Sequence, residues 1–249
     1  MNKLFRNRLE KGELLLGTIM ALPYADAAEI LVEAGLDWLF LDMEHAPYSL
    51  HDVQHICQAV GDRCACIVRI PDKSEAWLKR VIDIGPEGII VPHVNSAEET
   101  EMIVNWALYP PQGTRSAGIA RAQGYGLKME KSIQNANSEM LVIPQIEHRE
   151  GVENIGEIVK VDGLKAVFVG PYDLSGSLGI LGQVTDAQVQ SKIKDIAQTC
   201  RAAGLKSGIF GVDAGSLKSY IGLGYTLIAR GSDTLMLGEA VRDAVRALK

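Results

Sequence analysis

The side chains with the widest chemical reach fall into a few short blocks. Asp42, Glu44 and His45 stand together, and Arg69 ends an apolar run. Gln145 and Glu147 are two apart, Tyr172 and Asp173 follow Gly170-Pro171, and Arg230 closes another run. Brought to one site, the four carboxylates would repel one another, and one imidazole and the Arg69 guanidinium would not offset them all. Several carboxylates cannot share a dry pocket unpaired, because repulsion drives protons onto some of them. A divalent cation removes the conflict, and carboxylate, amide and water oxygens favour magnesium or manganese over zinc or copper. The alternative is that Arg69 neutralises one acid and solvent hydrates the others.

These blocks need a scaffold that converges them. Short apolar runs alternate with helical patterns: 14–20, 38–45, 64–70, 88–92, 140–147, 165–170, 206–210 and 225–230, each followed by an amphipathic stretch. The stretches after them run over 24–34, from Ser49, 74–84, 97–108, 152–161, 186–203, 214–223 and 235–248. The runs are continuous rather than alternating, as in parallel strands covered on both faces. Eight successive strand–helix units with no linker predict one (β/α)8 TIM barrel over 1–249. A doubly wound open sheet is the rival, but its glycine fingerprint is missing after the first run. In a barrel, chemistry sits at the C-terminal ends of the strands, where these blocks lie. Strand alternation puts Asp42 with Glu44 on one face, and Gln145 with Glu147 on one face.

Other reactive side chains read more plainly. A lysine forming an imine would have to end a strand. Lys165 and Lys206 open strands instead, and Lys73 lies beyond the third. His51 and His55 are spaced as in HExxH, but Asp52 replaces the glutamate and the helix belongs to the outer ring. His93 and His148 sit at strand ends, where surface roles are expected. Gly211 and Gly231 suit a phosphate site or simple tight turns. Cys57, Cys64, Cys66 and Cys200 include no CxxC and read as buried, reduced thiols of a cytoplasmic protein.

Composition agrees. Of 249 residues 47% are hydrophobic and 22% charged, the balance of a folded domain rather than a disordered chain. Net charge is −6 with no basic block, which argues against nucleic acid as a partner. No run of about 18 apolar residues would cross a membrane. The N-terminal residues 1–13 are too charged for a signal peptide and read as a short amphipathic helix.

Five blocks together carry a resemblance. Leu41-Asp42-Met43-Glu44-His45-Ala46-Pro47, Val68-Arg69-Ile70-Pro71, Tyr109-Pro110-Pro111-Gln112-Gly113-Thr114-Arg115, Pro144-Gln145-Ile146-Glu147 and Val169-Gly170-Pro171-Tyr172-Asp173-Leu174-Ser175 resemble, in order, the signatures of the HpcH/HpaI class II aldolases. The resemblance implies a barrel of the phosphoenolpyruvate/pyruvate type and a metal-dependent cleavage of 4-hydroxy-2-oxo acids to pyruvate and an aldehyde. It implies Glu147 and Asp173 as ligands of Mg²⁺, Mn²⁺ or Co²⁺. It implies Gln145 and the Tyr172-Asp173 backbone as substrate contacts, His45 as general base and Arg69 as transition-state stabiliser. Asp83 would raise the basicity of His45. On geometry Asp83 is late in the third helix and points to the far end, so Asp42 is its rival.

Two departures bear on the substrate: Tyr172 stands where the family usually has a small residue, and Ser116-Ala117-Gly118 follows Arg115. A related enzyme that cleaves a CoA ester, and a silent barrel that only binds a keto acid, are the competing readings. The glycine-rich stretch 109–136 is expected to close the mouth or reach a neighbouring subunit, with Arg121, Tyr125 and Tyr172 near an aldehyde's tail. The resemblance implies a homo-hexamer, a trimer of dimers, with the last helix exchanged between partners.

Overall fold

The computed structural model describes residues 3–249; Met1 and Asn2 of the expected N-terminal helix lie outside the described residues. Eight parallel strands close into a barrel in sequence order: β1 (Leu15–Met20), β2 (Trp38–Asp42), β3 (Ala65–Arg69), β4 (Gly88–Val91), β5 (Leu141–Ile146), β6 (Ala166–Val169), β7 (Lys206–Gly211) and β8 (Leu227–Ser232). Before and between them run α1 (Lys3–Lys11), α2 (Ala25–Glu33), α3 (Leu50–Val60), α4 (Glu75–Ile84), α5 (Ala97–Ala107), α6 (Met129–Glu139), α7 (Arg149–Glu153), α8 (Ile155–Ile158), α9 (Pro171–Ser177), α10 (Ala187–Ala202) and α11 (Ala214–Leu223). The chain ends in α12 (Asp233–Leu248).

The apolar runs become strands because both their faces are buried. Inward side chains of one strand set, including Trp38, Phe40, Ile67, Ile143 and Phe168, fill the barrel; the outward set packs under the helices. Phe5 and Leu9 of α1 join the inner cluster and plug the N-terminal end. Burying each contributes about 1.5–3 kcal/mol, and Arg8 anchors the plug to Asp37 at 2.5 Å. The helices start where the sequence offers caps: Ser49 and Asp52 form a reciprocal capping box on α3, and Ser74 and Ser96 accept the N–H groups of Trp77 and Glu99 in the first turns of α4 and α5.

Three expectations change. Tyr225 precedes β8 rather than opening it: the ring is fully buried, and its hydroxyl donates to the Ile193 carbonyl at 2.8 Å, so its apolar character serves helix packing. The helix expected over 152–161 is two short ones, broken at Asn154, whose amide donates to the Asn95 carbonyl. The stretch 109–136 does not close the mouth. It carries a 3-10 turn (Arg121–Gly126) and the start of α6. Arg121 donates to the carbonyls of Ile84, Gly85 and Cys57, at the ends of α3 and α4, so the segment covers the N-terminal end of the barrel.

The last helix is tied down at its start, and loosely at Glu239, 3.7 Å from Arg230. The Asp233 carboxylate accepts from the N–H groups of Ala21 and Leu22, both at 2.9 Å. Beyond it, Leu237, Val241, Val245 and Leu248 lie exposed along one side of α12. Leu16, on the outer face of β1, is 42% exposed, a strand face that an outer helix would be expected to cover. Among the described residues no helix is long and apolar enough to cross a membrane.

Candidate active site

At the C-terminal mouth the inward side chains turn from apolar to polar. Phe40 and Phe168 meet edge to face, with centroids 5.4 Å apart, and form the floor. The Arg69 guanidinium lies 5.1 Å above the Phe40 ring. Asp42 and Arg69 are register partners on β2 and β3. Their side chains pair bidentately, Nε to Oδ1 at 2.9 Å and Nη2 to Oδ2 at 2.7 Å. Nη1 of Arg69 also reaches Glu44 Oε2 at 3.1 Å. Burial works against the Arg69 charge, but the hydrogen bond and attraction of Asp42, then Glu44 and Glu147, outweigh it and raise its pKa. Arg69 therefore pairs with two acids, while its single charge balances only one. Of its five N–H donors, two bond Asp42 and one on Nη1 faces Glu44, which leaves two.

The carboxylates left over are Glu147 and Asp173. Glu147 is buried. Its Oε1 accepts from the His93 backbone N–H at 2.7 Å, and its Oε2 from the Gln145 amide. Burial pushes its pKa up; the His93 N–H and charge and the Gln145 bond oppose this, while Asp173 adds to it. Gly170 makes the fit possible, since a Cβ there would stand 2.8 Å from Glu147 Oε2 and 3.1 Å from the Gln145 amide nitrogen. Gln145 Oε1 is buried without a partner. An orphaned acceptor, a buried carboxylate and an exposed Asp173 in the first turn of α9 form an all-oxygen donor set suited to a hard cation. Among the described residues no three His, Cys, Asp or Glu side chains form a ready-made cage. A cation here would keep water or substrate oxygens, as magnesium commonly does.

His45 opens onto the same cavity, about 210 Å³, together with Arg69, Gln145, Gly170, Tyr172 and Asp173. Its Nε2 lies 3.8 Å from Glu44 Oε2. Asp42 does not orient its ring. Asp42 Oδ1 accepts the backbone N–H groups of Glu44 and His45 and so fixes the turn that carries the imidazole. Tyr172 tilts against Phe210 on one wall, with centroids 6.1 Å apart.

Asp83 is elsewhere. It sits at the end of α4, and its carboxylate binds Arg115 at 2.7 Å and Gln123 at 3.4 Å. The helix runs back toward the start of β4, so within one chain Asp83 and His45 occupy opposite ends. Arg121 and Tyr125 share that far end, with Tyr125 against Gln58, and only Tyr172 of the three aldehyde candidates lines the mouth. Gly211 packs flush on Leu217, and Gly231 turns the chain at φ +55°, which favours the tight-turn reading. His51 and His55 are exposed on α3, and His148 caps α7 through Nδ1. Among the described residues no lysine lines the mouth; Lys73 is spent on the His93 carbonyl and Glu99.

The residue that sequence reasoning undervalued is His93. Its Nδ1 stands 3.2 Å from Glu147 Oε1 and its Nε2 3.4 Å from Glu44 Oε1. The signal was present in its place after Val91-Pro92, at the end of a strand.

Comparison with known proteins gives a consistent picture. The HpcH/HpaI aldolase/citrate lyase family model matches residues 19–240. The hydroxypyruvate/pyruvate aldolase of Roseovarius nubinhibens is 35% identical over 244 residues, covering 97% of this chain and 95% of the relative. The 2-keto-3-deoxy-L-rhamnonate aldolase of Escherichia coli K12 is 33% identical over 248 residues, 98% of this chain and 92% of the relative. A crystal structure of an HpcH/HpaI aldolase/citrate lyase family protein from Burkholderia cenocepacia superposes with a TM-score of 0.95 at 32% identity, covering 100% and 99% of the two chains.

Proposed function

Since the chain belongs to the HpcH/HpaI aldolase/citrate lyase family, we propose that the mouth just described carries out its chemistry as follows. The protein is a carbon–carbon lyase, a class II aldolase that splits 4-hydroxy-2-oxo acids to pyruvate and an aldehyde and runs the reverse addition. Glu147 and Asp173 hold a divalent cation, Mg²⁺, Mn²⁺ or Co²⁺. Such an ion supplies Lewis acidity toward the oxygens of the keto acid.

The remaining work falls to the chain. Gln145, fixed by Glu147, and the backbone of the first turn of α9 hold the substrate's carboxylate end. Breaking C3–C4 leaves negative charge on the keto oxygen, and the two uncommitted N–H groups of Arg69 meet it. A preorganised donor of this kind is worth about 10²–10³ in rate. Arg69 needs no reorganisation, because Asp42 and Glu44 hold its fork. His45 takes the proton of the 4-hydroxyl; imidazole is the side chain whose charge changes near neutral pH. Phe40, Phe168 and Phe210 present an apolar floor and wall that keep bulk water from the carbanion carbon.

The observation that carries this reading is the pair Glu147 and Asp173, left without a cation of their own beside the orphaned Gln145 oxygen. Exhaustive treatment with EDTA should abolish both aldol turnover and pyruvate α-proton exchange in D₂O, and added Mg²⁺, Mn²⁺ or Co²⁺ should restore them. Full turnover after chelation would refute the cation. Exchange also excludes a silent keto-acid binder. The CoA-ester reading called for a basic, aromatic surface; Arg69 is the one lysine or arginine lining the mouth cavity among the described residues.

The bare stripe on α12 and the uncovered Leu16 support exchange of that helix with another copy, as in a hexamer built as a trimer of dimers. A role for Asp83 toward His45 then requires the Asp83 of a second copy, because one chain holds the two apart. Four free, buried thiols support a reducing, cytoplasmic setting.

A further inference from the structure

We propose that His93 is a positioning residue for the Glu147 carboxylate, and through it for the cation site. This inference rests on the cation reading given above.

His93 is one of two non-glycine residues in the described structure with a left-handed backbone, at φ +54°. That region is costly for an ordinary L-residue and persists where the surroundings over-determine it. Here two things hold it. Lys73 Nζ donates to the His93 carbonyl at 2.7 Å and pairs with Glu99 Oε1 at 2.5 Å. Glu99 Oε2 in turn accepts the Asn95 N–H at 2.7 Å. The loop after β4 is thus clamped at the His93 carbonyl and two residues beyond it.

The consequence is that backbone and side chain aim at one acceptor. The His93 N–H and Nδ1 both address Glu147 Oε1, at 2.7 and 3.2 Å. Gln145 holds the other oxygen. The ring's far nitrogen lies 3.4 Å from Glu44 Oε1, and the opposite oxygen of Glu44 is held by Arg69 at 3.1 Å. A continuous line of contacts therefore runs Arg69–Glu44–His93–Glu147. It fixes the Glu147 rotamer relative to the guanidinium. A carboxylate that binds a metal needs such an outer partner, and losing one typically costs 10–100-fold in metal affinity or activity.

The test is Mn²⁺ binding to the full-length, metal-free protein by calorimetry, with steady-state kinetics alongside. His93→Ala should bind Mn²⁺ about 10–100-fold more weakly. At saturating Mn²⁺ its kcat should stay within a few fold of wild type, while the Mn²⁺ concentration for half activity rises. His93→Asn tolerates the left-handed backbone and keeps a side-chain donor, so it should recover most of the affinity. His93→Gly, free of any backbone conflict, should behave like His93→Ala and serves where the alanine variant fails to fold. Wild-type affinity in the folded alanine or glycine variant would overturn the role of His93 alone. Absence of Mn²⁺ binding in wild type would overturn the cation reading and this inference with it.

Discussion

The two ends of the barrel both carry charge, yet they spend it differently. At the N-terminal end lies the larger cavity, about 680 Å³, with Arg115, Arg121, Lys128 and Lys131 on its walls. Its two arginines are each paired within the protein. Arg115 binds Asp83 through Nη2 and stacks over the Tyr109 ring at 4.6 Å, with Nε left over. Arg121 binds carbonyls at the ends of two helices, where a cation also meets the negative end of each dipole. At the mouth the cavity is about 210 Å³, and its buried arginine is matched against more acids than it can neutralise. On the reading proposed above, unspent charge rather than size marks the chemical end.

Substitutions can break that contrast. The largest effect is expected at the mouth. His45→Ala should lower aldol turnover by about 10²–10⁴ with little change in melting temperature, since the ring is exposed and Asp42 holds only its backbone. Turnover within a few fold of wild type would remove His45 as the base. Asp83→Asn comes next. If the far end served structure alone, turnover would barely move. Under the assembly proposed above, Asp83 of a second copy supports His45, and kcat should fall of order 10². Mixing Asp83→Asn with His45→Ala protein should restore activity at the sites that combine both native side chains. No recovery in mixed assemblies would confine Asp83 to pairing with Arg115.

Arg121→Ala tests the far end as architecture. It removes charge-assisted bonds to the α3 and α4 carbonyls, each worth about 1.5–3 kcal/mol when buried and less at this half-buried side chain. Thermal unfolding should register that loss while kcat/KM stays within about twofold. A large kinetic defect would mean the cavity there takes part in function.

The contrast also explains what the sequence made legible. Strand positions followed from apolar runs buried on both faces, and the blocks at Asp42, Arg69, Gln145 and Asp173 fell at the mouth because strand ends do. That the stretch 109–136 does not close its own barrel's mouth could be read from chain order: it leads from a helix into a strand, so it lies at the strands' starting end. The sharing of Arg69 between Asp42 and Glu44 depends on the register of β2 against β3, which no single strand discloses. His93 was undervalued because its direction is set by a left-handed backbone at one residue, a feature that histidine itself does not announce. The exposed face of α12 is amphipathic in sequence like any outer helix; its lack of cover appears only in three dimensions.

The smallest effect isolates what the unspent acid costs the fold. Burial, opposed by His93 and Gln145 and reinforced by Asp173, raises the Glu147 pKa above its ordinary 4.5. The native state then holds this proton more tightly than the unfolded chain. Stability from that proton is fully present below the unfolded value and is lost as pH rises through the raised native one. Glutamine stays neutral and keeps the shape, so Glu147→Gln lacks that loss. In EDTA its melting temperature should exceed that of wild type near neutral pH, and the two should converge as pH falls below the ordinary carboxylate range. The same variant should lose Mn²⁺ binding, the trade of stability against function expected where a site is strained for its task. Melting curves that run parallel across pH would show that Glu147 is as comfortable ionised in the barrel as in water, and the mouth would then hold no unspent charge to contrast with the far end.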